Sequence, residues 1–262
     1  MEDVQGRGDG RGIPIKRAGV NQLTYPIVVL DRAHERQQTI AKVSMSVGLP
    51  HEFKGTHMSR FIEVLEEHRG EVTVRTLPRI LKALRDRLKA ETAHMEVVFP
   101  YFLERRAPVS GASGLMDYEC SLVGEANGER EDFVLGVRVP VTSLCPCSKA
   151  ISEYGAHNQR TYVTIEVRSV AKPDSFVWIE ELVEVAETSA SAPVYPLLKR
   201  PDERYVTMQA YDNPAFVEDI VRDVALKLRQ DGRVAWFRVH ARSDESIHNH
   251  CAFAEVEETL TR

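Results

Sequence analysis

Cysteine is scarce in this 262-residue chain: Cys120, Cys145, Cys147 and Cys251 are too few and too unevenly spaced for a disulfide framework. Long apolar runs are missing as well. Pro26–Leu30 and Val97–Leu103 have core-strand length, far below the roughly 20 residues of a membrane span. Neither sign of charge dominates, since 34 Lys and Arg stand against 39 Asp and Glu for a net charge of −5. That balance excludes the broad basic surface of a nucleic-acid coat or an anionic-membrane binder. The opening residues, MEDVQGRGDG, lack the apolar stretch of a signal peptide, so the expected location is the cytoplasm. What the chain does have is a 43% hydrophobic content, enough for a sizeable core, and a length that suits one large domain or two small ones.

Residues 1–12 hold Gly6, Gly8, Gly10 and Gly12 with almost no apolar content and are expected to form a mobile tail. The run resembles a phosphate loop only superficially, because no strand precedes it and no helix follows. From Leu23 onward the periodicities are clear. Leu23–Leu30 reads as a buried strand, and Thr39–Leu49 alternates Ala41, Val43, Met45 and Val47 with polar residues, the period of a half-solvated strand. Helical spacing follows over His57–Arg69, with Met58, Phe61, Ile62 and Leu65 on one face, ending at Gly70. A second helix is expected after Thr76 as cap, with Pro78 in its first turn. Strands are expected at His94–Phe102, Leu115–Glu125 and Glu131–Val141, the last two joined by a hairpin at Asn127-Gly128. The pattern then restarts with a strand at Arg160–Arg168 and a helix at Val177–Glu187. A further helix is expected from Asn213-Pro214 to Gln230, followed by strands at Arg233–Ala241 and Cys251–Glu258. The expected architecture is α+β: residues 13–262 as one domain of two half-units, about 23–141 and 160–258, each an antiparallel sheet with a helix pair on one face. Exposed sheet edges favour a closed oligomer. Between the helices of the second half, Thr188–Asp212 reads as a long loop stiffened by Pro193, Pro196 and Pro201, a length more often functional than decorative.

Three clusters carry chemistry. VTSLCPCSKAISEYGAHNQR places Cys145, Cys147 and His157 in one loop, and thiolate with imidazole suits a borderline metal. One cysteine, His157 and a carboxylate would leave a position open for water; two half-buried thiols beside a turn is the competing reading. His248-Asn249-His250 lies between the last two strands, where alternation puts both imidazoles on one side for metal binding or proton transfer; a solvated turn is the alternative. Glu218 and Asp219 start the last helix off its apolar stripe. They read as a solvated face or as a carboxylate accepting two hydrogen bonds from a guanine edge. Glu203 in the long loop is a surface charge or a third metal ligand. Lys149, Arg160, Lys199 and Arg200 are candidate phosphate-gripping cations, with solvated surface as the default.

The segments LCPCSKAISEYGAHNQR, SAPVYPLLKRPDERYV, NPAFVEDIVRDVA and SIHNHCAFA, with the amino-terminal RGIPIKRAGV, resemble the prokaryotic type IB GTP cyclohydrolase I family over about residues 11–258. The resemblance implies a tunnelling fold, in which antiparallel sheets from several subunits close into an oligomeric barrel, here a homotetramer with active sites at its interfaces. It implies conversion of GTP and water to 7,8-dihydroneopterin triphosphate and formate, the first committed step towards folate, with a divalent metal such as Mn, Zn or Fe. It places the metal ligands on Cys145, His157 and Glu203, the purine-anchoring and catalytic carboxylate on Glu218, and proton transfer on His248 and His250. The choice between Cys145 and Cys147 stays open at the level of sequence. Two other tunnelling-fold chemistries fit similar residues, a nitrile reductase and a cyclohydrolase with a cyclic-phosphate product. A non-enzymatic metal- or purine-binding module is the third alternative.

Overall fold

Alternating apolar residues build the strands. In the computed structural model, which describes residues 5, 7–68, 70–128, 130–170 and 175–261, the chain divides into two units. The first comprises Met1–Pro100 with Ser121–Leu135, and the second Tyr101–Cys120 with Gly136–Arg262.

The first unit opens with β1 (Ile15–Asp31) and β2 (Glu35–Leu49), paired antiparallel. Ala41, Val43, Met45, Val47 and Leu49 are buried on one face of β2, as the period of two requires. β1 begins eight residues before the expected Leu23. Its register shifts between Ile15 and Ala18 and again between Val20 and Leu23, with Gln22 at φ 56°, so bulges scramble the alternation by which a strand is recognised. At Gly19 the strands approach so closely that a Cβ would lie 2.0 Å from the Met45 carbonyl oxygen. Helices α1 (Met58–Glu67) and α2 (Leu77–Leu88) follow and pack on each other and on this sheet. The buried face of α1 is Phe61, Val64 and Leu65, whereas Met58, expected there, is 44% exposed because it opens the first turn. Thr76 does precede α2, but its hydroxyl donates to Glu71 O (2.7 Å) and accepts from Thr73 N (2.9 Å) instead of capping the helix. β3 (Thr92–Arg106), β4 (Ser113–Asn127) and β5 (Arg130–Leu144) each lend one half to this unit, in the order β1-β2-β3-β4-β5. Gly128, at φ 58°, makes the expected β4–β5 turn. Of the expected tail, residues 1–4 and 6 lie outside the described residues, while Lys54 N donates to Arg7 O (3.0 Å) and Gly55 N to Gln5 O (3.1 Å).

The second unit holds the other halves of β3, β4 and β5, then α3 (Pro146–Ile151), β6 (Asn158–Ser169), α4 (Ile179–Glu187), β7 (Ala192–Pro193), α5 (Arg200–Asp212), α6 (Val217–Gln230), β8 (Val234–Asp244) and β9 (Cys251–Thr259). Its order is β3-β4-β5-β6-β8-β9, with β7 beside β5. α6 buries the expected Val217, Ile220, Val221, Val224 and Leu228, each worth about 1.5–3 kcal/mol, and packs on β8, β9 and α4. Two expectations are corrected. The stiff loop Thr188–Asp212 contains a 13-residue helix, α5. Asn213-Pro214 does not start α6: the Asn213 side chain donates back to Gln209 O (2.8 Å) and closes α5, while Asp219 Oδ2 accepts from Phe216 N (3.1 Å) at the true start of α6. Among the described residues no helix is long and apolar enough to cross a membrane.

Candidate active site

Cys145 is the cap of α3, with Pro146 in the first turn, where a missing N–H costs nothing. Its Sγ accepts from Ser148 N at 3.3 Å. Cys145 N donates to His157 O (3.1 Å) and His157 N donates to Ser148 Oγ (3.1 Å), so these bonds close the loop and bring the backbones of Cys145 and His157 together at its base. Cys147 lies two residues on, exposed, whereas Cys145 is half-buried. His157 Nδ1 is 2.9 Å from Gln159 Oε1 and 3.4 Å from Ser246 Oγ.

Ser246 belongs to the 245–250 turn that also carries His248 and His250. Their rings stack 5.1 Å apart at 16°, on one side of the chain as alternation requires. The pairing of Arg160 with Asp244 and of Asp244 with Cys251 fixes this turn beside the start of β6. Ala215 N donates to Leu144 O (3.1 Å), which ties the approach to α6 to the residue before Cys145. Glu218, exposed in the first turn of α6, has no hydrogen-bond or ion-pair partner among the described residues, unlike its neighbour Asp219. Cys145, His157, His248 and His250 are thus gathered at one end of β5, β6 and β8, with the start of α6 tied to the same end.

Glu203 and the cations are distributed differently. Glu203 sits exposed near the start of α5, beside Lys199 and Arg200, while Lys149 reaches Tyr211 at the other end, bonding its carbonyl and lying 4.2 Å over its ring. At 1.5 Å per residue Glu203 is roughly 12 Å along the helix from Tyr211, and Arg200 roughly 17 Å. Arg160 is exposed on β6, on the face opposite Gln159 and Thr161. Among the described residues no three His, Cys, Asp or Glu side chains converge closely enough to hold a metal ion. The donor pair Cys145–His157 nevertheless suits one chemically, as thiolate and imidazole beside a loop open to solvent.

The sequence reading missed the partners of these groups. Gln159 is two residues from His157 at the start of a strand, and that spacing is the signal that would have found it. Asp202, fully buried beside Glu203, accepts from Val109 N (2.8 Å), Ser110 N (2.8 Å), Ser110 Oγ (2.6 Å) and Lys199 N (2.9 Å). Burial alone would raise its pKa, but these bonds, led by the Ser110 hydroxyl, hold it below the usual carboxylate range. Of the two cysteines outside the loop, Cys120 is buried and its thiol is pushed up by desolvation. Cys251 is exposed, because β9 has no buried face, and its Sγ lies 3.2 Å from Arg242 Nη2.

Known structures share this fold. The uricase of Arthrobacter globiformis superposes with a TM-score of 0.56 over 93% of both chains at 10% identity, and urate oxidase from Bacillus subtilis 168 at 0.53, over 93% of this chain and 98% of that one, also at 10% identity. At such identities the likeness concerns the fold alone, and it defines the class: this is a tunnelling-fold protein. Within that class, the family model for type I GTP cyclohydrolase folE2 matches residues 1–254. The protein called GTP cyclohydrolase FolE2 in Syntrophus aciditrophicus (strain SB) is 55% identical over 257 residues, 98% of this chain and 99% of that protein. Its namesake in Geobacter sulfurreducens is 54% identical over 258 residues, 98% of each chain. The chain belongs to the type I GTP cyclohydrolase folE2 family.

Proposed function

We propose that this chain converts GTP and water to 7,8-dihydroneopterin triphosphate and formate, opening folate biosynthesis in the cytoplasm in the manner of type IB enzymes. The observation that carries the reading is the meeting of Cys145, His157 and the His248–His250 turn at one end of the sheet, in a family whose members bear that name.

In this reading Cys145 and His157 hold a divalent metal, Mn, Zn or Fe, with Glu203 as third ligand. When bound, the metal supplies Lewis acidity that activates water towards C8 of the guanine. Glu218 accepts hydrogen bonds from guanine N1–H and the exocyclic amine, a bidentate grip that orients the base. His248 and His250 give and take the protons of ring opening, formate release and reclosure. Lys149, Arg160, Lys199 and Arg200 offset the triphosphate charge. The place of Glu203, Lys199 and Arg200 at the end of α5 remote from the Lys149–Tyr211 contact supports a site completed across an interface of a homotetramer, with Glu203, Lys199 and Arg200 serving a neighbouring subunit's Cys145–His157 pair.

The test is turnover by protein stripped of metal and reloaded with Mn(II), Zn(II) or Fe(II), followed by formate release and by fluorescence of the oxidised pterin. Product carrying an intact triphosphate, by mass spectrometry, is expected. No turnover with any of the three metals overturns the reading, and a cyclic phosphate product replaces it with the rival cyclohydrolase chemistry.

A further inference from the structure

We infer that Gln159 is a positioning residue that locks His157 in the Nδ1–H tautomer and so presents its Nε2 lone pair as the ligand atom. The inference rests on the metal reading above and goes beyond it by naming the residue that prepares the ligand.

A chain of hydrogen bonds, its direction fixed at one end, decides the tautomer. A glutamine amide fits its surroundings in two orientations with nearly the same shape, so its neighbours must decide between them. Gln159 lies between His157 Nδ1 at 2.9 Å on one side, and Ser143 Oγ at 3.3 Å and Glu245 Oε1 at 3.4 Å on the other. An ionised carboxylate accepts and cannot donate, so the amide nitrogen must face Glu245. That leaves Oε1 against the imidazole. A carbonyl oxygen only accepts, so Nδ1 must carry the hydrogen, and in a neutral ring Nε2 then carries the lone pair. Ser246 Oγ, 3.4 Å from Nδ1, is able to accept the same hydrogen.

The amide is itself anchored below. Ser143, Thr161 and Ser243, on the adjacent strands β5, β6 and β8, are 1%, 0% and 0% exposed. Ser143 Oγ is 2.7 Å from Thr161 Oγ1, which donates to Ser243 Oγ at 3.1 Å. If Gln159 donates to Ser143, the hydroxyls can pass the donor sense along in one direction, Ser143 to Thr161 to Ser243. A flipped amide would place two acceptors, Gln159 Oε1 and the Glu245 carboxylate, against each other and leave its NH2 facing Nδ1. The sheet therefore supports one orientation, and that orientation determines the tautomer. Hydrogen bonds of this kind to the second nitrogen of a ligating histidine typically matter by about 10–100-fold in metal affinity.

The experiment uses full-length protein labelled with 15N-histidine, free of metal and at a pH where the imidazole is neutral, with His157 assigned from the signals lost in His157→Gln. The Nδ1–H tautomer is expected for His157 in the unaltered protein. In Gln159→Leu the ring should return towards the Nε2–H form that histidine side chains favour in water, and Zn(II) affinity, read by competition with a chromophoric chelator, should fall about 10–100-fold. Gln159→Glu combined with Glu245→Gln, which keeps an acceptor against Nδ1 and a donor–acceptor pair between residues 159 and 245, should keep the tautomer and recover most of the affinity. An Nε2–H tautomer in the unaltered protein overturns the inference, whether or not any variant folds. So does a Gln159→Leu protein that keeps both the tautomer and the affinity. If the unaltered protein binds no Zn(II) or Mn(II) at all, the metal reading falls, and the tautomer measurement distinguishes that outcome from failure of the Gln159 assignment.

Discussion

Thr161→Val is the sharpest probe of the hydroxyl ladder under the site, because valine has nearly the same shape and removes little else. Thr161 is fully buried and stands between Ser143 (2.7 Å) and Ser243 (3.1 Å). Removing its hydroxyl deletes two hydrogen bonds worth about 0.5–1.5 kcal/mol each and strands part of a buried hydroxyl at a cost of about 1–3 kcal/mol. Ser143 and Ser243, already 3.5 Å apart, can recover some of this by pairing directly, and the added methyl is buried at a gain of about 0.8 kcal/mol. The net expectation is a loss of about 2 kcal/mol. For a chain of this size that corresponds to a fall of roughly 4–8 °C in Tm, read by calorimetry at fixed protein concentration. The combined Ser143→Ala, Thr161→Val, Ser243→Ala protein should lose less than the sum of the three single changes, since no hydroxyl is left to orphan. A Thr161→Val protein within about 1 °C of the parent, or a triple variant at or beyond the sum, would refute the ladder as a coupled unit.

Further outcomes concern the thiols, the interface and acid stability. Cys145→Ala should abolish metal retention while Cys147→Ala keeps it, measured by metal content after gel filtration; the reverse pattern moves the ligand role to Cys147. With a thiol-specific label under native conditions, Cys147 and Cys251 should react promptly and the buried Cys120 only after unfolding, as mass spectrometry of the labelled peptides would record. If sites are completed between subunits, mixing inactive Cys145→Ala and Glu203→Ala proteins through a dissociation step should restore part of the GTP turnover, and no restoration argues for a site within one subunit. Asp202 has a depressed folded pKa, so its contribution is complete above the unfolded carboxylate pKa of about 3.9 and fades as pH falls towards the folded value. Urea midpoints of Asp202→Asn should therefore lie furthest below the parent near neutrality and converge with it in acid; a constant gap across pH would sink that account.

Periodicity made most elements readable, because α1, α2, α4 and α6 each bury an apolar stripe and β2 alternates cleanly. It failed at α5. That helix buries just Asp202 and Ala210, and its start is marked by Pro201 and by a buried carboxylate, not by an apolar face. A helix held by a polar anchor leaves little trace in a hydrophobic pattern. The short α3 escaped for the related reason that it buries nothing, although Cys145-Pro146 is a reasonable helix start. Within the site, the reactive side chains were legible as residue types, while their supports were not. Gln159, Ser148 and Ser246 are ordinary polar residues whose importance comes from strand register, and register is set by pairing between distant segments.

The anchoring of α5 also has a mechanical side. Asp202 fastens the start of the helix to the Val109–Ser110 turn, and Lys149 fastens its end to the thiol-bearing loop through Tyr211. Thirteen residues make a strut about 20 Å long. A strut held at both ends carries displacement from one to the other, so the position of the Cys145 loop is partly set at a surface turn that touches none of the reacting groups. Selection for activity could thus act on Ser110 as readily as on a residue beside the thiol.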